Sequence, residues 1–84
     1  MTRPLTIRKA TLEILERADP YALPEDQLLI ELNTALRPPV GKAEFYDALL
    51  FLNTRKHIIT IPDNIDDTLV KWAISETGKT LLRQ

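Results

Sequence analysis

The sequence predicts an α+β fold: a three-helix bundle, a C-terminal two-stranded β-hairpin and a short final helix. Three observations carry this. Apolar residues recur at helical spacing from Ile7 to Leu52. From His57 the pattern turns extended and β-branched. Six prolines and two glycines punctuate the joints between these blocks. A hairpin in water needs cover for its apolar face, and three helices need cover for their shared stripe. One core meets both needs, so residues 1–84 are expected to form a single domain.

The first helix is predicted over Thr6 to Ala18, with Thr6 as N-cap. Ile7, Ala10, Ile14 and Ala18 make its stripe, flanked by Thr11 and Leu15. Asp19-Pro20 closes it, because a residue before proline avoids the helical region. Tyr21-Ala22-Leu23 reads as a short extended connector. Pro24 suits the first helical position, and Glu25 and Asp26 place negative charge at the positive end of the helix dipole. Leu28, Leu29, Leu32 and Leu36 carry the second helix to about Arg37, where Pro38-Pro39 breaks it. Val40-Gly41 leads into a third helix, Lys42 to Arg55, with Phe45, Ala48, Leu49 and Leu52 facing inward. A strand follows over 57–61, then a turn-rich loop, Pro62 to Asp67. The second strand spans Thr68 to Ile74, with Val70, Trp72 and Ile74 on one face. Ser75 caps a final helix to about Arg83, in which Gly78 reads as a tolerated weak point.

Composition narrows the function. The 84 residues are 44% hydrophobic and 27% charged, too apolar for a disordered tail. The apolar runs are only a few residues long, so a bilayer-spanning helix is excluded. The N-terminus lacks the apolar stretch of a secretory signal. Cysteine is absent, which removes disulfides, thiolate metal sites and thiol nucleophiles, and a cytoplasmic location is expected. Eleven Lys+Arg against twelve Asp+Glu give a formal net charge of −1. Nucleic-acid binders usually carry a cationic surplus. Here any such surplus must be local.

Two segments are familiar. The run from Ala48 to Ile58 resembles the winged-helix pattern of two leucines three apart, then a polar stretch and a buried isoleucine opening the wing. The C-terminal run from Trp72 to Leu82 is similar to the aromatic-x-Leu-Thr-x-x-Gly ending of MarR-like and PadR-like regulators. The resemblance spans Leu5 to Leu82. It departs from the family at Lys56, where glycine is common, and at Arg37-Pro38-Pro39-Val40-Gly41, which is longer and stiffer than a tight helix-turn-helix turn.

The resemblance implies a non-enzymatic transcriptional regulator whose third helix enters the DNA major groove while the wing meets the backbone. That requires donors and cations on the exposed helix face. The outward positions are Lys42, Ala43, Tyr46, Asp47, Leu50 and Thr54. On this reading Lys42, Tyr46 and Thr54 face the groove, and Arg37, Arg55 and Lys56 face the backbone. Within the helix, Lys42 and Arg55 balance Glu44 and Asp47. Asp63, Asp66 and Asp67 make the wing acidic, each opposing a phosphate by about 1 kcal/mol in water. Other basic residues include Arg3, Arg8, Lys9 and Arg17 toward the N-terminus and His57 at the strand entrance. Arg3 is a candidate N-terminal arm to a DNA backbone, and the alternative for all of these is a solvated surface charge.

Leu50 and Phe51 stand where polar or basic residues are common. One is expected to pack inward and the other to be exposed, unless both widen the core stripe. With Tyr46 they outline a second function: a protein-interaction or self-associating module, including a homodimer. Trp72 is expected in the core.

Catalytic and cofactor chemistry finds no support. Thr77-Gly78-Lys79-Thr80 has the tail of a phosphate loop, but Ala73 occupies the position of its first glycine. His57 is the sole histidine and Ser75 the sole serine, so neither a histidine–cysteine metal site nor a catalytic triad can be assembled. Asp63, Asp66 and Asp67, which could weakly hold a hard cation, lack the glycine and terminal glutamate of a calcium loop.

Overall fold

The computed structural model describes residues 2–83 apart from 63–69. Four helices and three strands follow in the order α1 (Arg3–Ala18), β1 (Leu23–Pro24), α2 (Glu25–Ala35), α3 (Lys42–Thr54), β2 (Ile58–Pro62), β3 (Val70–Ile74) and α4 (Glu76–Leu82). The predicted loop from Asp63 and the start of the second strand, Thr68-Leu69, lie outside the described residues.

The first helix begins three residues before the predicted cap. Thr2 takes the N-cap position without a side-chain hydrogen bond, and proline occupies the first turn. Pro4 is well placed there, where its missing N–H has no intrahelical partner to lose. Thr6 is an interior residue, its hydroxyl donating to the Thr2 carbonyl at 3.1 Å. The buried face is also rotated from the predicted stripe. Ile7, Thr11, Leu12, Ile14 and Leu15 are buried, while Ala10 and Ala18 are only partly so. The cause is position: α1 packs against α2, α3, β3 and α4, so its apolar face is wide. Thr11 has no exposed surface, and its hydroxyl donates to the Ile7 carbonyl at 2.8 Å. That satisfies a polar group which burial would otherwise penalise.

The sheet has three antiparallel strands, not two, in the order β1-β3-β2. Leu23 pairs with Trp72 and Pro24 with Lys71, so the end of the supposed connector is a strand. Two residues leave no period to read in the sequence. On the other side of β3, Ile58 pairs with Ile74 and Thr60 with Trp72. The inner sheet face brings Ile58, Trp72 and Ile74 into the cluster formed by Leu15, Leu28, Leu52 and Phe45. Trp72 is 7% exposed, and its indole N–H donates to Glu25 Oε1 at 3.1 Å. Glu25 therefore serves the core as well as the α2 dipole.

The inward residues of α3 are as predicted: Phe45, Ala48, Leu49 and Leu52 are all buried. At the end of α2, Leu36 is already extended, and the Val40 N–H donates to Asn33 Oδ1 at 2.6 Å. Ser75 caps α4 as expected, its hydroxyl oxygen accepting from the Gly78 N–H at 3.1 Å. Gly78 itself is no weak point. It is buried, and a Cβ built there would lie 2.2 Å from the His57 carbonyl oxygen. Glycine lets α4 close onto the exit of α3.

Candidate nucleic-acid interface

Every residue predicted to point outward from α3 does so. Lys42, Ala43, Tyr46, Asp47, Leu50 and Thr54 are exposed, because the opposite face is held down by Phe45, Ala48, Leu49 and Leu52. Lys42, Tyr46, Leu50 and Thr54 stand four residues apart, one line along about 18 Å of helix. Tyr46 is 50% exposed and Leu50 66%. Arg37 is exposed before the helix and donates to the Asn33 carbonyl at 2.7 Å. Arg55 and Lys56 are exposed beyond its other end.

Tertiary structure changes the electrostatics of the N-terminal end. Arg3, distant in sequence, donates from Nε to Glu44 Oε2 at 2.7 Å and from Nη2 to Oε1 at 3.2 Å. The same Nη2 reaches the Pro38 and Pro39 carbonyls at 3.0 Å each. Glu44 Oε1 also accepts from the Gly41 N–H at 3.2 Å, half of a capping box, since Gly41 has no side chain to reciprocate. Arg3 is thus a staple across the turn between α2 and α3. It is not a free arm, contrary to one expectation above. The hydrogen bond from Arg3, then that from Gly41, holds the Glu44 carboxyl below the ordinary carboxylate range, and Glu44 raises the Arg3 guanidinium in return.

The C-terminal end of α3 closes in a Schellman motif. The His57 N–H donates to the Leu52 carbonyl at 2.9 Å and the Lys56 N–H to the Asn53 carbonyl at 3.1 Å. Lys56 is left-handed, with φ 64°. The turn keeps the shape that glycine favours although lysine stands there. The Ser75 hydroxyl donates to the Lys56 carbonyl and the Ser75 N–H to the His57 carbonyl. These bonds over-determine the turn and fix the direction in which Arg55 and Lys56 leave the helix.

Of the two apolar residues, Leu50 is exposed and Phe51 partly buried, the division expected. The Arg8 guanidinium lies 3.6 Å from the Phe51 ring centroid and the Arg55 guanidinium 4.3 Å. Phe51 thereby positions Arg55, its i+4 neighbour, while the Arg8 contact has no local sequence signal because Arg8 comes from another helix. A groove of about 370 Å³ separates α1 from α3 at Pro4, Ile7, Asp47, Leu50 and Phe51. The Lys79 of the discarded phosphate-loop fragment is engaged elsewhere, its Nζ 3.0 Å from Asp19 Oδ2. The acidic wing residues Asp63, Asp66 and Asp67 lie outside the described residues.

No protein-family profile matches the chain, and no curated protein matches it by sequence. Solved structures do match. The chain superposes on ZitR from Lactococcus lactis with a TM-score of 0.74 at 15% identity, covering 93% of this chain and 47% of that one. For the PcaV transcriptional regulator from Streptomyces coelicolor the TM-score is 0.75 at 17% identity, covering 99% and 51%. For the adhesin competence repressor AdcR from Streptococcus pyogenes it is 0.74 at 17% identity, covering 99% and 52%. The chain spans about half the length of these proteins, and at such identity the likeness is one of fold. The chain has a winged-helix fold, similar to that of these solved regulator structures.

Proposed function

We propose that this domain binds double-stranded DNA through α3, as the non-enzymatic reading module of a transcriptional regulator. The observation that carries the reading is the Arg3–Glu44 pair. It cancels one of the two carboxylates on α3, leaving Asp47 as the unneutralised acid of the helix against Lys42, with Arg37, Arg55 and Lys56 at its ends. Lys42, Tyr46 and Thr54 supply donors toward base edges, while Arg37, Arg55 and Lys56 supply phosphate contacts. The fold of the neighbouring regulators supports the same docking. A homodimer reading two half-sites and a cytoplasmic location go with this reading.

Anisotropy titration with mixed-sequence duplex at low salt tests it. Non-specific binding lies at about 10⁻⁴ to 10⁻⁶ M at physiological salt, so at low salt it is expected below tens of micromolar, weakening as salt rises. Replacing Lys56 by Gln should shallow the slope of log K against log salt by about 1, whereas Thr54→Ala should leave the slope alone and relax sequence preference. No binding at tens of micromolar protein would refute the proposal.

One observation favours a second reading, in which α3 meets a protein. Leu50 is 66% exposed in the middle of the face, beside Tyr46 and the groove at Phe51. Leu50→Lys discriminates the two: it should strengthen a DNA contact and abolish a protein contact. Sedimentation and partner capture unchanged by this substitution would remove the second reading.

A further inference from the structure

We propose that a second groove, between α1 and α4 at the C-terminal end of α3, docks an acidic amphipathic peptide segment of another protein. The groove has a volume of about 270 Å³. Leu12, Phe51 and Leu82 line its covered part, and Leu5 and Leu81 stand at its mouth, 48% and 40% exposed. Its polar lining consists of Arg8, Lys9 and His57, with no carboxylate among the lining residues. In a chain of net charge −1, this is a local reversal of sign. A carboxylate at the mouth of the groove complements the two cations, Arg8 and Lys9.

These features select the occupant. A second copy of the chain docked groove to groove would oppose like charges. A helical segment with leucines at one face and glutamates beside them fills the apolar part and sets carboxylates against Arg8 and Lys9. None of Lys42, Tyr46 or Thr54 lines the groove, so the peptide and DNA would engage different surfaces. The inference rests on the fold and this lining, and it stands or falls independently of DNA binding.

The test titrates the isotope-labelled chain with a synthetic helical peptide of about twelve residues alternating Leu and Glu at helical spacing. A second peptide carries Lys in place of Glu. The acidic peptide is expected to shift the backbone amides of Leu5, Arg8, Leu12, Phe51 and Leu81 and to bind about tenfold tighter than the basic one. Leu5→Ser and Leu81→Ser alter exposed positions, so circular dichroism should stay unchanged while affinity falls about fivefold or more. Equal binding of both peptides, shifts confined to the outer face of α3, or indifference to both serine variants would overturn the proposal. So would saturation of the groove by octanoate while the acidic peptide leaves these amides unmoved.

Discussion

At Gly78 the space for a side chain is taken by a backbone carbonyl, 2.2 Å from where a Cβ would stand. A carbonyl fixed in a turn cannot yield as a flexible side chain can. Gly78→Ala is therefore expected to lower stability by about 2–4 kcal/mol, measured by urea unfolding. Lys56 is the opposite case. Its φ of 64° is a conformation that glycine adopts freely, so Lys56→Gly should raise stability by about 0.5–1 kcal/mol. The same substitution should weaken DNA binding, which separates the folding role of the position from its proposed phosphate contact. Glu25→Ala should cost about 1 kcal/mol and move the Trp72 emission, since the indole N–H would lose its 3.1 Å acceptor.

At the scale of elements, α3 could be read residue by residue. Its inward and outward positions follow from spacing alone, because one face is buried and the other free. Helix α1 could not be read so fully, since contacts on several sides bury residues that lie off any single stripe. The joint between α2 and α3 carries a pH dependence. The Glu44 carboxyl sits below its ordinary range because Arg3 and Gly41 donate to it. A depressed folded value means the pair stabilises above the unfolded carboxylate pKa and stops doing so as pH falls through the folded one. Thermal melts should thus decline more steeply on the acid side for the parent than for Glu44→Gln. The difference should shrink in about 1 M salt, because the pair is partly exposed. The Lys79 ammonium, raised chiefly by its bond to Asp19, has the reverse sign: it stabilises below its unfolded pKa and is lost as pH climbs through the raised folded value.

For the molecule as a whole, the sheet and the helices share one core. Ile58, Trp72 and Ile74 belong to the same buried cluster as Leu15, Leu28 and Leu52. Leu28 is fully buried, and Leu28→Ala should cost about 2–5 kcal/mol. Trp72 fluorescence and far-ultraviolet circular dichroism should still report one coincident transition. Separate midpoints would show that the hairpin and the bundle unfold apart, against the single-core account.

Local chemistry was enough to place the helices, the hairpin, the Ser75 cap and the outward face of α3, because periodicity and capping act over a few residues. Long-range packing settled the rest. The Leu23–Pro24 strand exists because β3 offers it an edge. Arg3 became a staple because folding set it beside Glu44. Gly78 became indispensable because α4 closes on the His57 carbonyl. Contacts between residues far apart along the chain leave no local pattern, so their energies can be read only once the chain has closed on itself.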